Sequence, residues 1–201
     1  MRRILIATAL AAPLLASAAT NLVVNGSFET DIQGNNSWNI YPNLTGWIGG
    51  SGGIELRHNV AGAAYDGANF VELDTNFNSS MSQNIGTTLG QQYTLNFAYS
   101  PREGVPSSSN GIEVFWNNVS QGVFTGTGLS GNVWAIETLT VTGAATLSSL
   151  TFKAVGTSDS YGGSLDAVSL TAAVPEPETY ALMLAGLGAV GFVSRRRRPQ
   201  A

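Results

Sequence analysis

Five residues close together in one polar stretch have the chemistry to hold a sugar: the rings of Trp38 and Tyr41 and the amides of Asn36, Asn39 and Asn43. An aromatic face stacks on the apolar side of a pyranose, and amides donate to and accept from its hydroxyls. Tyr65 and Tyr161 carry rings in other polar stretches, whereas Trp47, Trp116 and Trp134 read as core residues. Other chemistry is thinly supplied. His58 is the only histidine, so no second imidazole shares a metal with it, and any serine–histidine–acid triad would have to use it. Glu55, Glu72, Asp74 and Glu113 could in principle pair for glycoside hydrolysis, but no cleft motif frames them. There is no cysteine, which removes thiol catalysis, cysteine-ligated zinc and a disulfide framework. An enzyme is not expected.

Charge narrows the partners. Between residues 20 and 174 the basic residues are Arg57, Arg102 and Lys153, against eleven acidic ones, so this stretch sits near −8 while the whole chain is −4. A surface so poor in Lys and Arg is unsuited to nucleic acid or to anionic lipid.

The elements that must position these residues are strands. Tyr93, Leu95, Phe97 and Tyr99 alternate with polar or small neighbours, as do Ile112, Val114 and Trp116. Further strands are expected at Leu22–Val24, Phe70–Asp74, Met81–Ile85, Trp134–Val141, Leu147–Ala154 and Leu165–Leu170. Period-two patterning broken by glycine turns means an all-β, antiparallel sandwich. The stretches Asp31–Gly53 and Arg102–Asn110 read as long loops, where function on a rigid sandwich usually resides.

Both ends read as targeting segments. Arg2-Arg3, an apolar run from Ile4 to Leu15 and small residues to Ala19 make a secretory signal peptide over residues 1–19, cut after Ala18 or Ala19. Residues 174–201 begin Val174-Pro175-Glu176-Pro177-Glu178, continue in an apolar segment Tyr180–Val193, and close on Arg195, Arg196, Arg197 and Arg198. Fourteen residues of helix rise about 21 Å, short of the ~30 Å hydrocarbon core, so this short transmembrane helix suits a signal to be processed better than a permanent anchor. The order Pro-Glu-Pro, glycine-bearing apolar helix, arginine cluster resembles the PEP-CTERM sorting signal of Gram-negative bacteria. That resemblance implies an exosortase-type membrane transpeptidase as partner, transient residence in the inner membrane, and display on or release from the surface of cells that make extracellular polysaccharide.

Between the ends, residues 20–173 carry a second resemblance. Asn21-Leu-Val-Val-Asn-Gly-Ser-Phe-Glu29, Gly46-Trp47, Gly53-Ile-Glu-Leu56, Phe70-Val-Glu-Leu-Asp74, Met81-Ser-Gln-Asn-Ile85, Gly90-Gln-Gln-Tyr-Thr-Leu-Asn-Phe97 and Leu165-Asp-Ala-Val-Ser-Leu170 follow one another as in galactose-binding-domain-like jelly rolls. These include carbohydrate-binding modules. The resemblance implies that Glu29 and Asp166 help hold one structural Ca²⁺, with backbone carbonyls completing the shell. On the residues alone, Glu29 reads equally as a turn cap and Asp166 as a solvated strand residue. The expectation is a non-catalytic exported domain that binds matrix polysaccharide. A structural or adhesion protein without a small ligand is the alternative, and a polysaccharide hydrolase the weaker third.

Overall fold

The computed structural model describes residues 20–173, 183–188 and 190–191. Among the described residues twelve antiparallel strands form two six-stranded sheets. The first sheet runs β1 (Ser37–Tyr41), β4 (Ile54–His58), β5 (Asn69–Glu72), β12 (Ser164–Ala172), β7 (Gln92–Ser100), β10 (Ala135–Thr142). The second runs β2 (Asn43–Leu44), β3 (Trp47–Gly49), β6 (Ser80–Gly86), β11 (Leu147–Val155), β8 (Gly111–Trp116), β9 (Val119–Phe124). The expected all-β sandwich is what forms.

Alternation decides which way each strand faces. Tyr93, Leu95, Phe97 and Tyr99 turn inward from β7 and are buried, as are Ile112, Val114 and Trp116 from β8 and Leu150, Phe152 and Ala154 from β11. Phe28, Trp47, Phe152, Phe97 and Phe124 make a chain of ring contacts through the core, with centroids 5.0–6.1 Å apart. Trp47 and Trp116 are core residues as their motifs suggested, and their indole N–H groups donate to the carbonyls of Asn25 and Thr142.

Two stretches depart from the sequence reading. Leu22–Val24 is not a strand. Leu22 donates once to the Leu170 carbonyl, then the chain turns away through Asn25 (φ 53°), and Val24 donates to the side chain of Gln83. Gly26 is required there, because a Cβ would collide with the Val168 carbonyl oxygen. The second is Asp31–Gly53, which is no long loop but holds three strands, β1 to β3. These are short and separated by Pro42 and by Thr45-Gly46, so they offer no alternation long enough to read. Trp134, expected in a strand, lies one residue before β10 and is half-buried.

Residues 183–188 and 190–191 are helical and lie within the expected apolar segment. Among the described residues no helix is long and apolar enough to cross a membrane. The signal peptide, Pro175, Glu176, Pro177 and Arg195–Arg198 lie outside the described residues.

Candidate functional site

Strand β1 is an edge, and its register fixes what its aromatics can do. Trp38 pairs with Arg57 and Ile40 with Glu55, while Tyr41 pairs with Ile54. Partners directly opposite one another share a face, and residues three apart on a strand point to opposite faces. Ile54 is fully buried in the core, so Tyr41 faces inward, where it packs on the core and donates its hydroxyl to Gln33. Trp38 faces outward and is half-exposed. The two rings cannot serve one platform.

The outer face beside Trp38 carries charge. Glu55 on β4 lies opposite Glu72 on β5, and Arg57 lies opposite Phe70. Arg57 Nε donates to Glu55 Oε1 at 2.6 Å, and its Nη2 pairs with Glu72 Oε2. Arg102 Nη1 donates to the same Glu72 oxygen at 2.9 Å. Glu72 Oε1 accepts from the Gly162 amide. Burial pushes the Glu72 carboxyl up to about 7, outweighing the pull of the two guanidiniums. Arg57 is 2% exposed, and its Nη1 has no hydrogen-bond partner.

Loops over this cluster are positioned by buried polar residues. Asp74, fully buried, accepts from the amides of Asp159 and Ser160 and from the Ser158 hydroxyl. That fixes the turn bearing Tyr161, whose ring lies 4.5 Å from the Arg102 guanidinium carbon. Asn110 accepts from the Arg102 amide and donates to the carbonyls of Val105 and Gly126, which shapes the Arg102–Pro106 loop. The result is two adjoining cavities that share Arg102 and Tyr161. One, of about 200 Å³, is lined by Trp38, Ile40, Glu55, Arg57, Val60, Thr75, Asn76 and Ser160 as well. The other, of about 520 Å³, is lined also by Ala61, Glu103, Gly104, Val105, Pro106 and Asp159. Thus parts of the two stretches expected to hold function, one around Trp38 and one from Arg102 to Pro106, meet at one cleft.

Glu29 and Asp166 act on the loop between β4 and β5. That loop crosses the outer face of the first sheet, where the Ala63 carbonyl accepts from Asn132 and from the Trp134 indole. The Trp134 ring packs edge-on against Tyr65 and Phe70. Asp166 Oδ2 accepts from the amides of Tyr65 and Asp66, and Oδ1 from Ala167. Glu29 Oε1 accepts from Ala68 and Asn69. Asp166 is fully buried, not a solvated strand residue. Burial pushes its carboxyl up to about 7 although three amides favour the charged form. Two carboxylates with hard oxygens, one of them buried with no basic side chain among its hydrogen-bond partners, suit a cation such as Ca²⁺. No group of three or more acidic, histidine or cysteine side chains stands ready among the described residues, so carbonyls would have to complete the shell.

Backbone strain marks the same two places. Among the described residues, those with positive φ that are neither glycine nor asparagine are Phe28 (62°), Ala61 (60°), Ser160 (67°) and Ala167 (47°). Phe28 and Ala167 adjoin the two carboxylates, and Ala61 and Ser160 line the cleft. Such conformations cost about 1–3 kcal/mol each and concentrate where geometry has a task.

The other expected ligands are dispersed. Asn36 is exposed, with φ 54°. Asn39 Oδ1 accepts from the next amide, and Asn43, in the other sheet, accepts from Gly49. None lines the cleft. His58 is half-buried against the Gln33 carbonyl. Gly49-Gly50-Ser51-Gly52-Gly53 has the glycine–serine spacing of a nucleophile elbow. It forms a tight turn closed by a Gly53 to Gly50 hydrogen bond between two strands, with no helix to follow, so it is no elbow. Sequence reasoning also misses Arg57, takes Arg102 and Asn110 only as the ends of a functional loop, and names Asp74 only as a possible hydrolytic carboxylate. The available signal was the rarity of basic residues in the domain.

Comparison with known proteins bears on both ends of this picture. Residues 173–198 match the model of the PEP-CTERM protein-sorting motif. The chain carries a PEP-CTERM sorting signal. The motif indicates export and exosortase processing, and the match covers the Pro-Glu-Pro, the apolar segment and the arginines. The chain is also similar to part of the multifunctional-autoprocessing repeats-in-toxin proteins. It is 34% identical over 155 residues to that of Vibrio vulnificus and 32% over 154 to that of Vibrio cholerae. The matches cover 75% and 76% of this chain but span only 3% of the length of each toxin. In fold it is similar to the carbohydrate-binding module TmCBM61 solved with β-1,4-galactotriose, at TM-score 0.51 and 17% identity, covering 77% of this chain and all of that one. It is also similar to part of the arabinose-bound α-L-arabinofuranosidase MgGH51, at TM-score 0.55 and 12% identity, covering 76% of this chain and 26% of that one. The domain therefore has the jelly-roll fold of carbohydrate-binding modules.

Proposed function

We propose that this is an exported, non-catalytic domain that holds polysaccharide of the extracellular matrix in the cleft between Trp38 and Tyr161. One observation carries the reading. Two half-exposed rings, 53% and 49%, line a single cavity together with three charged hydrogen-bonding side chains. Stacking plus directed polar groups is how sugars are held. Export and sorting follow from the C-terminal signal. An exosortase-type transpeptidase acts near Pro175–Pro177 while the segment ahead of the arginines resides in the inner membrane, and the product is displayed or released. Glu29 and Asp166, with backbone carbonyls, hold one structural Ca²⁺ that fixes the β4–β5 loop. Nucleic acid is not a partner, given the acidic domain. Hydrolysis is disfavoured because Glu72, the carboxyl beside the cleft with a raised pKa, is fully buried and bound to Arg57, Arg102 and Gly162.

The test is a glycan array probed with the protein and with Trp38→Ala. Binding that the substitution removes supports the reading. Silence across neutral and acidic glycans overturns it and leaves a structural or adhesion role.

A further inference from the structure

The sandwich between residues 20 and 173 has three basic residues, and two of them, Arg57 and Arg102, line the cavity beside Trp38. The third, Lys153, is in the other sheet. Arg57 is held by Glu55 and Glu72 through Nε and Nη2, which leaves Nη1 without a partner although the side chain is 2% exposed. A buried guanidinium N–H left unpaired is costly, and the group that best relieves it is an anion with planar oxygens. The charges lining the two cavities differ in sign. Beside Trp38 they are Arg57, Arg102 and Glu55, whereas the adjoining cavity has Arg102 against Glu103 and Asp159. Trp38 is the register partner of Arg57, so a ring stacked on the indole lies next to that guanidinium.

We infer that the cavity beside Trp38 selects a uronic acid residue: a pyranose on the indole face, its carboxylate toward Arg57 Nη1 and Arg102. The inference rests on reading the cleft as a carbohydrate site and adds the ligand class. The net charge of the sandwich, near −8, gives polyanions no general attraction, so any preference for an acidic sugar has to arise from this local pair.

The test is calorimetric titration of the full chain with oligogalacturonate, oligoglucuronate and oligomannuronate, each beside its carboxyl-reduced counterpart. The expected result is that at least one uronate binds about tenfold or more tightly than its reduced form, the scale of one charge-assisted hydrogen bond. Arg102→Gln abolishes that preference and Lys153→Gln keeps it. Arg57→Gln is expected to do the same as Arg102→Gln, but it opens a buried ion cluster, so the Arg102 variant decides. Equal affinity for every acidic and reduced pair, with binding still lost in Trp38→Ala, overturns the uronate assignment and leaves the cleft reading standing. A preference that survives Arg102→Gln also overturns it. No binding of any oligosaccharide overturns both.

Discussion

Glu29 and Asp166 grip one loop at two points: Asp166 Oδ2 holds the amides of Tyr65 and Asp66 at 2.8 and 2.9 Å, and Glu29 Oε1 those of Ala68 and Asn69 at 2.8 and 2.6 Å. Gly67 sits between the two grips with φ 72°, and a Cβ there would lie 2.6 Å from the Glu29 carboxyl. Removing Asp166 strands three amides, one of them its own neighbour's. Asp166→Ala is expected to lower stability by about 3 kcal/mol in urea titrations, and Glu29→Ala, at an exposed residue, by about 1 kcal/mol. Hydrogen exchange at residues 65–69 should rise in both.

Calcium should stabilise the same region. A single site at a hundred times its Kd adds about 2.7 kcal/mol, a shift of a few degrees for a domain of this size. Thermal midpoints in excess Ca²⁺ and in excess chelator measure it, and Asp166→Ala is expected to lose the response. Equal midpoints for the wild-type chain would reject the site.

In chelator, stability should fall as pH rises from 5 to 8. Burial holds Asp166 and Glu72 near 7, above their ordinary 3.8 and 4.5. Across the interval between those values the native chain binds more protons than the unfolded one, so unfolding becomes easier with increasing pH. The thermal midpoint is therefore higher at pH 5 than at pH 8. Asp166→Asn flattens the slope, and Ca²⁺, which favours the charged carboxylate, restores midpoint at pH 8.

Trp38 and Tyr41 should separate binding from stability. Trp38→Ala is expected to weaken glycan binding about tenfold or more with little change in urea midpoint, because its ring is half-exposed on the outer face. Tyr41→Ala is expected to cost about 1–2 kcal/mol of stability, since the ring packs on the core, and to leave affinity within about twofold.

Intact-mass measurement of exported protein from a host with the sorting machinery should show neither Met1–Ala18 nor the segment beyond Pro175–Pro177. Exported material that retains Arg195–Arg198 would refute processing at that site.

The fold was legible where strands are long enough to alternate, as in Tyr93–Tyr99 and Ile112–Trp116. It was illegible in β2 and β3, which have two and three residues and no period to detect. Within the site, Trp38 stands out as an aromatic in a polar stretch, but the short edge strand reads as a loop, and so the sequence groups Tyr41 with it. Arg57 was hidden for a different reason. An arginine alternating with Leu56 reads as solvated, and only a loop returning from elsewhere in the chain buries it. Asp74 acts through partners 84 to 86 residues further along the chain, which local patterning does not reach.

Strand β12 ends the sandwich in sequence yet lies between β5 and β7 in the middle of its sheet. A tether attached beyond Ala173 therefore pulls on an interior strand. Force applied from that end meets the β7 ladder from Ala172 onward first and reaches the two β5 pairs, at Ser164 and Leu165, last, so β12 would be peeled from β7 before its other flank is loaded.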